Sequence, residues 1–515
     1  MTLLAALALA AATAGASPGP TVVFAPEASV PDPETDWIGE AVSDRLAHDL
    51  AVLGVDAVER ADRVRAQEAL EIPPVALSRA TCIRIAEALG ASRLVVGTYR
   101  VEKGDVTLTL SLLDAGRGTA SAPLLASGSL DILPGLVQAV AYDIAVLGPA
   151  PPARTRLELL GLRGTVPPPA FQAYGRGLSA RKVAARVQML RRAVSLAPWH
   201  DDARLALSRV LIEQRELSAA DAVLGGVNRS SPLSRPARFL QAVAKLEIGR
   251  YREAAEAFAA LDDERRSAAV RNDRALALLR LRSTAPPASE ILRAAVEADP
   301  DSPDLLFNLG FALLSEGDAD GAVYWLRDAV QRDALDARAR VVLSWALKKA
   351  GRAGEAAEEW KGVTALAPNY DAIATPDLGR RFERILPSER LLAADRAGRS
   401  APEVAVTLVG RADRKLRAGD LDGALRELTR AVYLDPYAPR VHLLLGQTHR
   451  ARGEWEKAES ELRMALWSTG DAAARLELAA VLKEMGRKTE ARAEADKVLK
   501  DDPKNAAARR ILEGL

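Results

Sequence analysis

The chain has 515 residues, 49% of them hydrophobic and 27% charged, so it is globular and long enough for several domains. Its formal net charge of +1 gives no support to wholesale electrostatic binding of nucleic acid. The single cysteine, Cys82, rules out an intrachain disulfide and a thiolate zinc cage; with Ile85, Ala86 and Leu89 at helical spacing beside it, it reads as a buried core thiol.

The chain opens "MTLLAALALAAATAGA", an apolar run from Leu3 that ends in Ala14-Gly15-Ala16. That small-residue ending predicts a secretory signal over residues 1–16, cleaved after Ala16, and hence a periplasmic or secreted protein, although no Lys or Arg precedes the run. No later stretch approaches the ~20 apolar residues of a membrane span.

Residues 20–147 read as a small α/β sandwich. "TVVFAPEA" is a strand. "DWIGEAVSDRLAHDLAVLG" is a helix with Ile38, Val42, Leu46, Leu50 and Leu53 on one face. "VDAVER" is a short strand and "SRATCIRIAEALGA" a second helix. "SRLVVGTYRV" and "VTLTLSLL" form a hairpin, in which Val106, Leu108, Leu110 and Leu112 alternate with polar residues. A strand near "LLASGSL" and a helix around "PGLVQAVAYDIAVL" close the domain. The acids of "PDPETDW" (Pro31–Trp37) read as capping groups before a helix. The strand running into "DWIGEAVSDRLAHDL", the hairpin "LVVGTYRVEKGDVTLTLSLLDAGRG" and the closing helix resemble the amino-terminal domain of the periplasmic translocation protein TolB and its relatives. That resemblance implies a non-catalytic, envelope-located domain that contacts other proteins. Residues 148–166, flanked by Pro149, Pro151 and Pro152 on one side and Pro167, Pro168 and Pro169 on the other, read as a stiff, extended linker.

From Pro167 a period of 34 residues holds. "GDADGAVYWLRDAVQRDA" (Gly317–Ala334) and "GDLDGALRELTRAVYLDP" (Gly419–Pro436) are nearly the same text, three periods apart. The twentieth place of successive units is mostly alanine, as in Ala220, Ala254, Ala322, Ala356, Ala424 and Ala458, where two helices must approach closely. The twenty-fourth is large, as in Leu224, Phe258, Leu326, Trp360, Leu428 and Leu462. Gly249, Gly317, Gly351, Gly419, Gly453 and Gly486 are placed to end first helices with positive φ. Proline closes many units, Pro402 among them. This pattern resembles the tetratricopeptide repeat family, and the resemblance implies an α-solenoid of helix–turn–helix repeats. The whole chain is then mostly α, with the small α/β domain first. Units 1–6 cover residues 167–370, units 8–10 cover 405–503, and 504–515 is a capping helix. Residues 371–404 read as a degenerate seventh unit, with Arg390 where a small residue belongs.

No motif for catalysis is legible, and no cofactor or metal is called for. There is no phosphate-binding glycine loop and no nucleophile elbow, and His48, His200, His442 and His449 complete no metal set. The tetratricopeptide resemblance implies function in the inner groove, lined by first helices. Carried over place by place, the groove residues are Phe307, Phe311, Leu314, Arg338, Val341, Trp345, Lys348, Lys349, Arg417, Arg440, Gln447 and Arg450. Between Ala337 and Arg450 there are 20 Lys/Arg and 14 Asp/Glu, a local excess of six positive charges. These residues predict a scaffold or adaptor that binds extended protein segments carrying acidic and apolar residues, with a solvent-facing Trp345 at its centre. The alternative is a binding module for envelope polysaccharide or lipid headgroups.

Overall fold

The structure is a computed structural model. It describes residues 19–70, 72, 77–115, 117–283, 286–366, 382–390, 401–468 and 471–515. The expected leader therefore lies outside the described residues, as does most of the expected seventh unit. The chain divides into two compact units. One comprises residues up to Leu305 together with Ile385–Arg396; the other comprises Leu306–Arg384 and the residues from Ala397 onward.

The first unit begins with a sheet of seven strands: β1 (Thr21–Val23), β2 (Glu27–Ala28), β3 (Ala57–Val58), β4 (Arg93–Glu102), β5 (Asp105–Asp114), β6 (Thr119–Ala120) and β7 (Leu124–Ser129). The order is β3-β1-β4-β5-β6, with β2 also on β4 and β7 also on β5. Only β1 with β3, β1 with β4 and β2 with β4 are parallel. Val106, Leu108 and Leu110 of β5 are buried, as their alternation predicts. On the sheet lie α1 (Trp37–Val52), α2 (Arg60–Ala69), α3 (Arg79–Ala88) and α4 (Leu133–Val146). Cys82 is buried beside Ile85 and Ala86. The acids before α1 do not cap it through Asp36, whose side chain accepts no capping hydrogen bond; Asp32 instead accepts from the Glu34 amide at 2.9 Å.

The stretch after α4 is not extended throughout. Thr155 and Glu158 form a reciprocal capping box that starts α5 (Arg156–Arg163), an option that reading prolines alone overlooks. Arg163 at its end enters a buried charge cluster. It donates to Asp49 at 2.7 Å and to Asp202 at 2.5 Å, while Arg45 meets the same two carboxylates and His48 Nδ1 lies 2.7 Å from Asp202. Burial opposes charge on Asp202, but Arg163 and Arg45 hold its carboxyl well below the usual range. Asp44, Arg45, His48 and Asp49 belong to the polar face of α1, which is therefore buried like its apolar face. Its cover is the first repeat helix, α6 (Pro168–Ser179), where Trp37 meets Phe171 edge-on at 6.2 Å and a Cβ at Gly175 would collide with the Trp37 ring.

The helices α6 and α7 (Val183–Leu196) are the first of nine antiparallel pairs among the described residues. The pairs continue to Ala472–Glu484 and Lys488–Asp501, and a final helix, Ala506–Glu513, follows. The twin motifs explain themselves in atoms. Gly317 and Gly419 adopt φ of 101° and 79°, left-handed values that end their helices. Asp318 and Asp420 then cap the next helices by accepting from the Gly321 and Gly423 amides. Ala322 is fully buried, and a Cβ on Gly310 would lie 2.5 Å from Leu326 Cγ, so the small and large places fit one crossing. Pro402, expected at the close of the seventh unit, belongs to the helix that follows. It sits in the first turn of the helix Ala401–Arg417, where its missing N–H leaves no bond unmade.

Candidate functional site

In the second unit the first helices Pro303–Glu316 and Ala337–Lys349 carry Phe307, Phe311, Leu314, Val341 and Trp345. All five are buried, and Trp345 is only 2% exposed. A solvent-facing tryptophan was expected here. The cover is the chain itself, because residues 382–384, which belong to no helix or strand, lie on these helices.

Each part of that segment has a partner. The Phe382 ring is 4% exposed, edge-on to Trp345 at 5.0 Å and tilted against Phe311 at 6.3 Å. The Phe311 ring in turn stacks parallel to Phe307 at 6.3 Å. The Arg384 guanidinium sits 4.1 Å over the Phe307 ring and pairs with Asp336. Asp336 is held in place because its other carboxylate oxygen caps the helix Ala337–Lys349, accepting from the Ala339 amide at 2.9 Å. Asn308 reads the main chain. Its Nδ2 donates to the Arg384 carbonyl at 2.8 Å, and its Oδ1 accepts from the Arg384 amide at 2.8 Å. A single carboxamide thus satisfies both main-chain groups of one residue, as a neighbouring strand would.

The other sequence-predicted residues are not gathered at this point. Lys348 is exposed and lies 6.0 Å from the Trp360 ring centroid. Arg338 and Lys349 are exposed. Arg417 and Arg440 both face Asp413, at 2.7 and 3.9 Å, and Gln447 and Arg450 both face Glu477. Arg417, Arg440 and Arg450 are therefore engaged in local acid–base pairs. His442 and His449 pair with different carboxylates, Glu461 and Glu454, at 2.7 and 2.8 Å. Among the described residues no cluster of His, Cys, Asp and Glu could hold a metal ion. No described helix is long and apolar enough to cross a membrane.

In the first unit residues 385–390 have their own contacts. The Leu386 amide donates to Asp273 Oδ1 at 3.0 Å, and Asn272 donates to the same oxygen at 2.9 Å. Burial pushes the Asp273 carboxyl up to about 8. Glu389 meets Arg235 at 2.8 Å and Arg265 at 3.3 Å. Arg390 pairs with Asp56, and Ser388 donates to Asp62 at 3.3 Å. Ser388, Glu389 and Arg390 line a cleft of about 1370 Å³, together with Glu59, Arg60 and Arg209.

Asn308, Asp336, Phe382, Arg384 and Asp273 are the residues that sequence reading missed. A signal existed for Asp273, polar at the fifth place of its first helix, where other units carry Phe171, Leu205, Phe239, Phe307 and Val341; Asn308 stands at the sixth place, where Gln172 and Arg274 are polar too, and was not marked out.

The tetratricopeptide repeat profile matches residues 288–337 and 415–466. The repeats are tetratricopeptide repeats. Proteins with such repeats commonly mediate protein–protein interaction. Similar solved structures include YrrB, a TPR protein with an unusual peptide-binding site, at 17% identity and a TM-score of 0.30 over 36% of this chain and 96% of that one. Residues 41 to the end of MamA from Desulfovibrio magneticus RS-1 give 17%, 0.30, 36% and 97% by the same measures. A tetratricopeptide repeat protein from Parabacteroides merdae gives 15%, 0.29, 54% and 97%. No curated protein matches the sequence.

Proposed function

We propose that the protein is a non-catalytic scaffold whose tetratricopeptide groove in the second unit binds extended protein segments through their main chain. The observation that carries this reading is Asn308, whose carboxamide pairs with both the amide and the carbonyl of one residue, Arg384. Such pairing favours extended backbone whatever its sequence, while the pockets beside it select side chains. The leader-like opening of the sequence and the TolB-like reading of the first domain support a periplasmic location for this scaffold, with the α/β domain as a second protein-interaction surface.

The test is an array of extended nine-residue peptides probed with the full chain and with Asn308→Leu. A subset should bind the parent and lose affinity to the variant. N-methylation of one central amide in a bound peptide should abolish binding, because it removes the N–H that Asn308 accepts. If every such methylation is neutral, main-chain recognition at Asn308 is wrong.

A further inference from the structure

Resting on that reading, we propose that residues 382–384 are a built-in competitor, and that the partner is a protein segment that presents an aromatic residue two positions before an arginine in extended form. Phe382 and Arg384 are two residues apart, so in an extended chain both side chains point to one side. That side meets two different receptors. One is the aromatic slot made by Phe311 and Trp345, and the other is the Phe307 face with the Asp336 carboxylate. The slot rejects charge because it is dry and aromatic. The second receptor selects arginine, whose flat guanidinium can cover a ring and pair with a carboxylate at once.

The segment belongs to no helix or strand of its own. It is held by side chains of two repeat helices, which is how a separate peptide would be held. A tethered ligand acts at an effective concentration on the order of millimolar. A partner must exceed that, so the free groove binds more tightly than the full chain does.

The probe is a fluorescent synthetic peptide of residues 382–390, titrated by anisotropy into the full chain and into the Phe382→Ala/Arg384→Ala double variant. The variant should bind at least tenfold more tightly than the parent, and adding Asn308→Leu should remove the gain. Equal, measurable binding to parent and double variant would overturn the competitor and leave the groove reading intact. No binding to a double variant that melts cooperatively would overturn both. If that variant does not fold, hydrogen exchange on the unaltered chain decides. A millimolar excess of the peptide should speed exchange at the Arg384 amide, and an unchanged rate would overturn the proposal. A segment released only by pairing with a second copy, seen as a concentration-dependent dimer, would also overturn it.

Discussion

At the scale of one residue, the repeat tolerates little at Ala322. It is fully buried at a helix crossing whose other side carries Gly310 and Leu326. Ala322→Trp should cost about 1–3 kcal/mol or more through overpacking. Differential scanning calorimetry should show a lower melting temperature, and an unchanged one would mean the repeat register is misplaced. Asp273 is a residue whose cost depends on pH. Burial raises its carboxyl to about 8, so the folded chain holds this proton where the unfolded chain has lost it, from about pH 4 upward. The sign follows: its contribution is complete below about pH 4 and is lost as pH rises through about 8. Melting temperature should fall over that window, and Asp273→Asn, which keeps an oxygen for the Leu386 amide, should flatten the fall. A variant that keeps the parent's slope would remove Asp273 as the cause.

At the scale of elements, α5 is pinned by Arg163, which is 3% exposed on its side chain and joins Asp49 and Asp202. Arg163→Ala leaves those buried carboxylates short of a partner and should cost about 3–5 kcal/mol. Urea denaturation measures this directly, and a loss below 1 kcal/mol would mean that Arg45 alone suffices. The helix pairs were legible because a 34-residue period repeats each packing demand many times over. Alternation in β5 and the apolar face of α1 were legible for a similar reason, since periodicity reports burial directly. The polar face of α1 was not. Asp44, Arg45, His48 and Asp49 look like solvated residues until Asp202 and Arg163, distant in sequence, meet them. The groove aromatics Phe307, Phe311 and Trp345 were found from repeat position, yet their exposure was misjudged. Sequence periodicity assigns Trp345 to a face but carries no information on what covers that face. The cover, Phe382 with Arg384, lies in a non-periodic stretch where no packing rule repeats.

At the scale of the whole molecule, the proposal that this is an exported scaffold rests on the leader-like opening of the sequence and on the repeats. Amino-terminal sequencing of the fractionated protein should begin at Ser17, and a full-length cytoplasmic product would contradict export. The central claim is that the groove holds extended main chain through Asn308. Hydrogen exchange at the Arg384 amide tests it most directly, because that N–H is bonded to Asn308 Oδ1 rather than to any helix or sheet. The full chain should protect this amide well beyond the rate of an unstructured peptide, and Asn308→Leu should return it towards that rate. An Arg384 amide that exchanges at the unstructured rate in the unaltered chain would contradict the account.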